Sequence, residues 1–269
     1  ARYQLPHTYY GRQHKGAYNS GGRFCDGQSA REWLGEENYR VLRPMCEVKG
    51  NQRLDYWDRI SIIGWILTTL SRHKDRKRDG RHLRDYTSPP VDIEGFISIA
   101  WLMNCPEGLA IRLRQADIEE CERREHFNAT TKRDAKADRI EFRRDGHGRI
   151  THFRAHQGQS RSAFEGVDRD QMFERVTPEN APDMLWHGTS EASADSICST
   201  GLRPGGDRGS RSDVHLVEGI HASESQQGVR QESTVAVGVN AKKFLRQQGE
   251  LHRNKKRTYL TPETIPVDC

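Results

Sequence analysis

Apolar residues recur at helical spacing in one long stretch. Between residues 60 and 70, Ile60, Ile63, Leu67 and Leu70 fall on one helix face, and Ile62, Trp65 and Ile66 widen it into a buried element. Arg72 and His73 follow at its C-terminal end, where cations complement the helix dipole. Residues 74–90 are charged and then proline-terminated, the composition of a surface loop. Residues 96–103 predict a short strand leading into a short helix, and residues 116–127 read as a helix with Asp117 and Glu119 near its start. The period then changes. Residues 139–143 alternate, with Ile140 and Phe142 on one face, Asp145-Gly146-His147-Gly148 signals a turn, and residues 149–155 pair back as a hairpin. The hairpin ends in FRAHQGQS, residues 153–160, where Gln157-Gly158 permits a tight polar corner.

In the second half, residues 161–182 are largely polar, contain Pro178 and Pro182, and read as a connector. The apolar run Met184, Leu185, Trp186 predicts a strand that ends on His187-Gly188-Thr189. Thr189 or Ser190 can cap the helix that follows, which closes at Gly201. A glycine-rich loop carrying Arg203, Arg208 and Arg211 leads to a second apolar run, residues 214–217. Val235, Val237 and Val239 alternate as a strand within residues 233–240. Residues 241–246 predict a short helix, and residues 257–261 a last strand stopped by Pro262. The expected fold class is α+β in two lobes: a winged-helix-like lobe over residues 59–162 and an antiparallel lobe over residues 163–269. Residues 1–58 form an extension with little periodicity, in which Arg31-Glu32-Trp33-Leu34 and Tyr39-Arg40-Val41-Leu42 read as short ordered pieces. Interleaved basic and aromatic residues leave two readings of it, a poorly ordered tail or an RNA-contacting arm.

Charge adds a direction to this picture. A net charge of +5 with 30% charged residues is a mild basic bias, compatible with nucleic acid. No apolar run approaches the roughly 18 residues that a membrane helix needs, so none is expected. The six cysteines contain no CxxC pair, so neither a zinc site nor a disulfide scaffold is expected, and reduced thiols in a cytoplasmic or nuclear protein are the default. The start, ARYQLPHTYYGRQ, lacks an apolar signal core and begins with Ala, the mark of a fragment or a processed chain. The richest chemistry lies between residues 185 and 216. Strand, glycine corner, helix N-terminus and an arginine-bearing loop are the parts of a pocket for a phosphorylated ligand.

Taken in order, these pieces resemble the RNA 2′-phosphotransferase family, NAD-dependent enzymes that finish tRNA splicing. That family shows a leucine-rich helix ending in L-R-H, a glycine-aromatic segment, then K-x-R-F and R-A-N-Q-G-H-S. After these come H-G-T, G-L, S-R-x-H-V-H-L and a late V-x-L-T. This chain reads LSRH at 70–73, GF at 95–96, KADRIEF at 136–142 and RAHQGQS at 154–160. It continues with HGT at 187–189, GL at 201–202, SRSDVHL at 210–216 and TYLT at 258–261. The resemblance implies a catalytic tetrad of Arg72, His73, Arg139 and Arg211. It implies an NAD site of His187, Gly188, Thr189, Gly201, Leu202, Asp213 and His215, within an ADP-ribosyltransferase-like lobe. Arg154, Gln157, Gly158 and Ser160 would meet the substrate phosphate. His215 has a second reading, as support for its strand.

The reaction implied has two steps and no metal. The RNA 2′-phosphate attacks the nicotinamide-bearing ribose carbon of NAD and releases nicotinamide. A hydroxyl of the transferred ADP-ribose then attacks the phosphate, leaving a 2′-OH on the RNA and ADP-ribose 1″,2″-cyclic phosphate. RNA with an internal 2′-phosphate, at a tRNA splice junction, would be the substrate of a monomeric enzyme. Three departures from the pattern stand out: KADRIEF spaces its lysine, arginine and phenylalanine differently, Gln159 replaces the histidine of Q-G-H-S, and Asp213 replaces the first histidine of H-V-H. Asp213 brings a carboxylate towards an anionic ligand, which is expected to weaken NAD binding or redirect specificity. Two alternatives follow: an ADP-ribosyltransferase that caps nucleic-acid phosphate ends, or a non-catalytic RNA- or nucleotide-binding relative.

Overall fold

The computed structural model describes residues 30–42, 56–72, 77–78, 81–82, 89–130, 139–205, 211–219 and 233–269. His73, Lys136 and Arg208 lie outside the described residues, as does most of the N-terminal extension. The chain divides into two compact units, Ala1–Ile66 with Leu102–Cys121, and Leu67–Trp101 with Glu122–Cys269.

In the first unit, helices α1 (Ala30–Leu34) and α2 (Glu36–Leu42) meet at Gly35. Its φ of 77° suits glycine and lets the chain turn between them. Helix α3 (Tyr56–Arg72) runs longer than its apolar stripe predicts. Ile60, Ile62, Ile63 and Ile66 are all buried, as the stripe requires. Helix α4 (Ile99–Asn104) follows, and α5 (Pro106–Ala110) opens on a proline, whose missing N–H costs nothing at that position. Helix α6 is Gln115–Thr130. Asp117 is fully buried and bonded to Arg59 at 2.7 Å and Arg114 at 2.9 Å, while Arg59 also donates to the Ile111 carbonyl at 3.0 Å. A carboxylate out of water needs this set of donors.

In the second unit, β1 (Lys77–Arg78) pairs with β2 (Arg81–His82). Strands β3 (Ile97–Ser98), β4 (Ile140–Arg144) and β5 (Ile150–Ala155) form an antiparallel sheet in the order β3-β5-β4. The expected two-stranded hairpin thus gains a third strand, because Ile97 sits opposite Phe153 and both are fully buried. Asp145 closes the hairpin turn by accepting from the amides of His147 and Arg149, each at 2.9 Å. The expected connector holds more structure than its composition shows. It contains a 3₁₀ turn at Arg161–Phe164, helix α7 (Arg169–Met172) capped by Asp168, and strand β6 (Glu174–Arg175).

Strands β7 (Met184–Thr189), β8 (Val214–Leu216) and β9 (Val235–Asn240) surround the candidate chemistry. Strand β7 takes in His187-Gly188-Thr189 and ends at Thr189. It pairs with β9 along its whole length, from Met184 opposite Asn240 to Thr189 opposite Val235. The corner falls one residue later, where the Ser190 hydroxyl caps helix α8 (Glu191–Thr200) by accepting from the Ser193 amide. Helix α9 (Ala241–Arg246) is capped by Asn240, and β10 (His252–Arg253) and β11 (Tyr259–Thr261) follow. The sheet order is β6-β10-β11-β8, antiparallel throughout. A bridge between Trp186 and Val217, with hydrogen bonds of 2.8 and 3.0 Å, carries it on to β7. Leu185, Val214, Leu216, Val239, Phe244 and Tyr259 pack into one core beneath this sheet. The mixture of helices and antiparallel sheets is α+β, as expected.

Candidate active site

All the described candidate residues lie in the second unit, and the three arginines of the expected tetrad that are described meet one five-residue corner, residues 156–160, at the end of β5. The corner holds its neighbours through peptide groups. The His156 amide donates to the Arg139 carbonyl at 3.0 Å, and the Ser160 amide donates to the Arg72 carbonyl at 2.7 Å. Ser160 forms a bridge with Arg211, and the Gln159 carbonyl accepts from the Ser212 amide at 3.2 Å and its hydroxyl at 3.0 Å. Three predicted tetrad arginines are therefore anchored to one short segment, although they are far apart in sequence. The fourth member, His73, lies outside the described residues.

Gly158 earns its place in this corner. Its φ is 85°, and a Cβ there would stand 3.3 Å from Arg72 Nε, so only a glycine lets the guanidinium lie this close. Gln157 presents its amide oxygen to Asn254, whose Nδ2 donates to it at 3.3 Å and to the His156 carbonyl at 3.1 Å. The Asn254 oxygen accepts from the Lys256 and Thr258 amides, both at 2.9 Å, so this one side chain ties the β10–β11 turn to the corner. Nothing in the spacing of the sequence singled out Asn254; its only signal is an asparagine opening a polar turn.

Several charged side chains surround the corner, and two of its cations share one carboxylate. Arg154, expected on the substrate phosphate, is buried and committed elsewhere. It bonds Glu141 at 2.9 and 2.8 Å, donates to the Glu94 carbonyl at 2.5 Å and stacks on Phe96. Lys255 also pairs with Glu141. Burial pushes the His156 pKa down to about 4; the charges of Arg154, Lys255 and Arg72 act the same way, and Glu141 opposes them. The ring is neutral near pH 7. His156 stands where the pattern of the resemblance has asparagine, a second change in the same motif beside Gln159.

The predicted NAD residues fall into two groups. His187, on β7, donates from Nδ1 to the His215 carbonyl at 3.0 Å, and His215 Nδ1 donates to the Asp213 carbonyl at 3.2 Å. Burial, then the charge of Arg211, lowers the His215 pKa to about 4, with His187 adding and Asp213 opposing. In that neutral tautomer Nε2 is an acceptor, and it is buried with no hydrogen-bond partner among the described residues. Gly188 and Thr189 sit beside these histidines within β7, opposite Ala236 and Val235. Gly201 and Leu202 are placed differently. Leu202 is part of the core and exchanges two 2.9 Å hydrogen bonds with Ile265, while a Cβ on Gly201 would meet the Ile265 carbonyl at 2.6 Å. Their observed work is to end α8 and seat it on the core.

Asp213 is the least expected of the set. Its carboxylate is 3% exposed and pairs with Arg169 at 2.7 Å; the Ser212 hydroxyl donates to it as well. Its charge is thus matched within the fold. The residue that does this, Arg169, lies 44 positions away in the segment read as a connector. Among the described residues no group of three or more His, Cys, Asp or Glu is placed to hold a metal ion, and no helix is long and apolar enough to cross a membrane.

A search of curated proteins finds none that matches. The family described as RNA 2′-phosphotransferase, Tpt1/KptA, matches over residues 59–263, a span that takes in every candidate residue above. On that match, and with its arginines gathered on one glycine corner, the chain belongs to the Tpt1/KptA family of RNA 2′-phosphotransferases.

Proposed function

We propose that this chain transfers an internal RNA 2′-phosphate, left at a tRNA splice junction, to NAD. Membership of the family carries the general statement that it is a transferase acting on RNA, in a family that uses NAD. One observation supports the finer reading above the rest: peptide groups of residues 156–160 hold Arg72, Arg139 and Arg211 around a single corner. In this reading the three guanidinium groups bind the phosphate through paired donors, and they are fixed before charge begins to move. Removing any one of them then costs on the order of 10²–10³ in rate. His73 donates to the phosphate or carries a proton near neutral pH.

NAD supplies the ribose carbon that takes the phosphate, and nicotinamide as the leaving group. The lobe around β7 and β8 fits such a ligand at one named atom. A buried acceptor without a partner, His215 Nε2, lies beside His187 and near Arg211, which suits a ribose hydroxyl attached to a phosphate. Residues 59–162 would present the RNA, with the three-stranded sheet as the wing, and residues 163–269 would hold NAD in a monomeric enzyme of the cytoplasm or nucleus.

The test is to incubate the protein with NAD and an oligonucleotide carrying one internal 2′-phosphate. Nicotinamide, ADP-ribose 1″,2″-cyclic phosphate and a strand with a 2′-OH at the same internal position are the expected products. Nicotinamide with a persistently ADP-ribosylated strand would show a transferase that stops after the first step. No consumption of NAD would overturn the reading.

A further inference from the structure

We propose that Trp186 is a ligand-binding residue whose indole carries the nicotinamide ring of NAD on the open face of the β7–β9 ladder. The inference rests on NAD being the ligand of this lobe, and it names the surface on which the reactive ring lies. Side chains alternate along a strand, so β7 has two faces of different character. On one, Leu185 is fully buried in the core and its partner Val239 is 3% exposed. On the other, Met184, Trp186 and Gly188 stand opposite Asn240, Gly238 and Ala236. That face is open: Met184 is 40% exposed, Ala236 is exposed, and Trp186, Gly188 and Gly238 are half-buried.

Gly188, Gly238 and Ala236 leave this stretch of backbone almost bare beside the Trp186 ring. The six-membered ring of the indole covers Gly238. A Cβ there would stand 3.1 Å from Trp186 Cζ3, 3.4 Å from its Cη2 and 2.8 Å from Met184 Cε, so glycine is what seats the ring against the strand. A second observation points to a ligand beside it. Trp186 is paired with Val217, so His215, two residues before Val217, falls on the same face, with its Cα about 8 Å from that of Trp186 by strand spacing. His215 Nε2 is buried with no hydrogen-bond partner among the described residues. In NAD the nicotinamide is bonded directly to its ribose, so a ribose hydroxyl on His215 brings the ring to the indole. Charge favours this ring over adenine. The nicotinamide nitrogen is a cation, and indole is the best aromatic partner for one. That charge is gone once the bond from ring to ribose has broken, which weakens the hold on the departing nicotinamide.

The experiment gives the full chain the two halves of NAD separately, nicotinamide mononucleotide and ADP-ribose. Affinity is read by calorimetry and contact with indole by quenching of tryptophan fluorescence. The mononucleotide should quench and ADP-ribose should not. Trp186→Leu should weaken the mononucleotide about tenfold and ADP-ribose less than about twofold. Trp186→Phe, which keeps an aromatic face, should hold the mononucleotide within about threefold and lose the quenching. Gly238→Ala, which drives the indole off the strand, should behave as Trp186→Leu does. Equal quenching by ADP-ribose overturns the proposal, and so does a Trp186→Leu variant that binds both halves unchanged or loses both alike. Should Trp186→Leu fail to fold, Trp186→Phe and Gly238→Ala carry the test. A protein that shows this pattern but never consumes NAD would sink the functional reading and leave this inference standing. An active enzyme whose binding of the mononucleotide ignores Trp186→Leu would sink the inference alone.

Discussion

Gly158 sets how closely the backbone approaches Arg72. With φ at 85° and an added Cβ only 3.3 Å from the guanidinium, Gly158→Ala strains the turn and displaces the cation together. We expect a loss of about 1 kcal/mol or more in stability and at least about a tenfold loss of phosphotransfer, read by urea titration and initial rates. Single residues were unevenly legible from the sequence. The arginines and glycines of the corner could be named because each falls in a short ordered motif. Arg169 and Asn254 could not, because the first meets its partner 44 residues away and the second works by bonding peptide groups 98 residues upstream. A side chain's partner across the fold leaves no periodic trace in the sequence.

At the scale of elements, period explains what could be read. Long α3 and the β4–β5 hairpin announced themselves by apolar spacing, and Val235, Val237 and Val239 marked β9 by alternation. Strands β6 and β10 did not, since two residues each, Glu174-Arg175 and His252-Arg253, show no alternation. In strand β7 the apolar run marks only Met184, Leu185 and Trp186, and the backbone ladder to β9 runs on through Gly188 and Thr189, which lack apolar side chains. Two predictions belong here. Asp117→Asn removes the charge that Arg59 and Arg114 share beneath α3 and α6, and should cost about 3–5 kcal/mol by urea titration, whereas Glu119→Gln on the same helix should cost less than about 1 kcal/mol. Gly201→Ala drives a Cβ to 2.6 Å from the Ile265 carbonyl. It should loosen the junction of α8 with the core, visible as faster hydrogen exchange at the Leu202 and Ile265 amides.

For the molecule as a whole, acid is the informative variable. His156 and His215 have folded pKa values of about 4 against an ordinary 6.5. Between those values the unfolded chain binds protons that the folded chain refuses. Their contribution to stability is therefore complete above about pH 6.5 and drains away as the pH falls towards about 4. Urea midpoints should drop steadily between about pH 7 and about pH 5. His156→Asn should flatten part of that slope, by on the order of 2 kcal/mol across the window; an unchanged slope would show that the ring is protonated without penalty. Salt offers a second handle on the whole surface. If Arg72, Arg139 and Arg211 each meet RNA phosphate, replacing one should reduce the steepness of the affinity–salt plot by about one ion.

The main-chain bonds of residues 156–160 carry a consequence for how such an enzyme can change over generations. Alignment of the three arginines is written into amides and carbonyls, which every residue but proline supplies alike. The side chains at 156, 159 and 213 are then released from the task of alignment. Those are the positions where this chain has histidine, glutamine and aspartate in place of the family pattern. The corner behaves as a jig: its shape outlasts replacement of the parts it holds, so new charges can be tried beside the three arginines without refolding it.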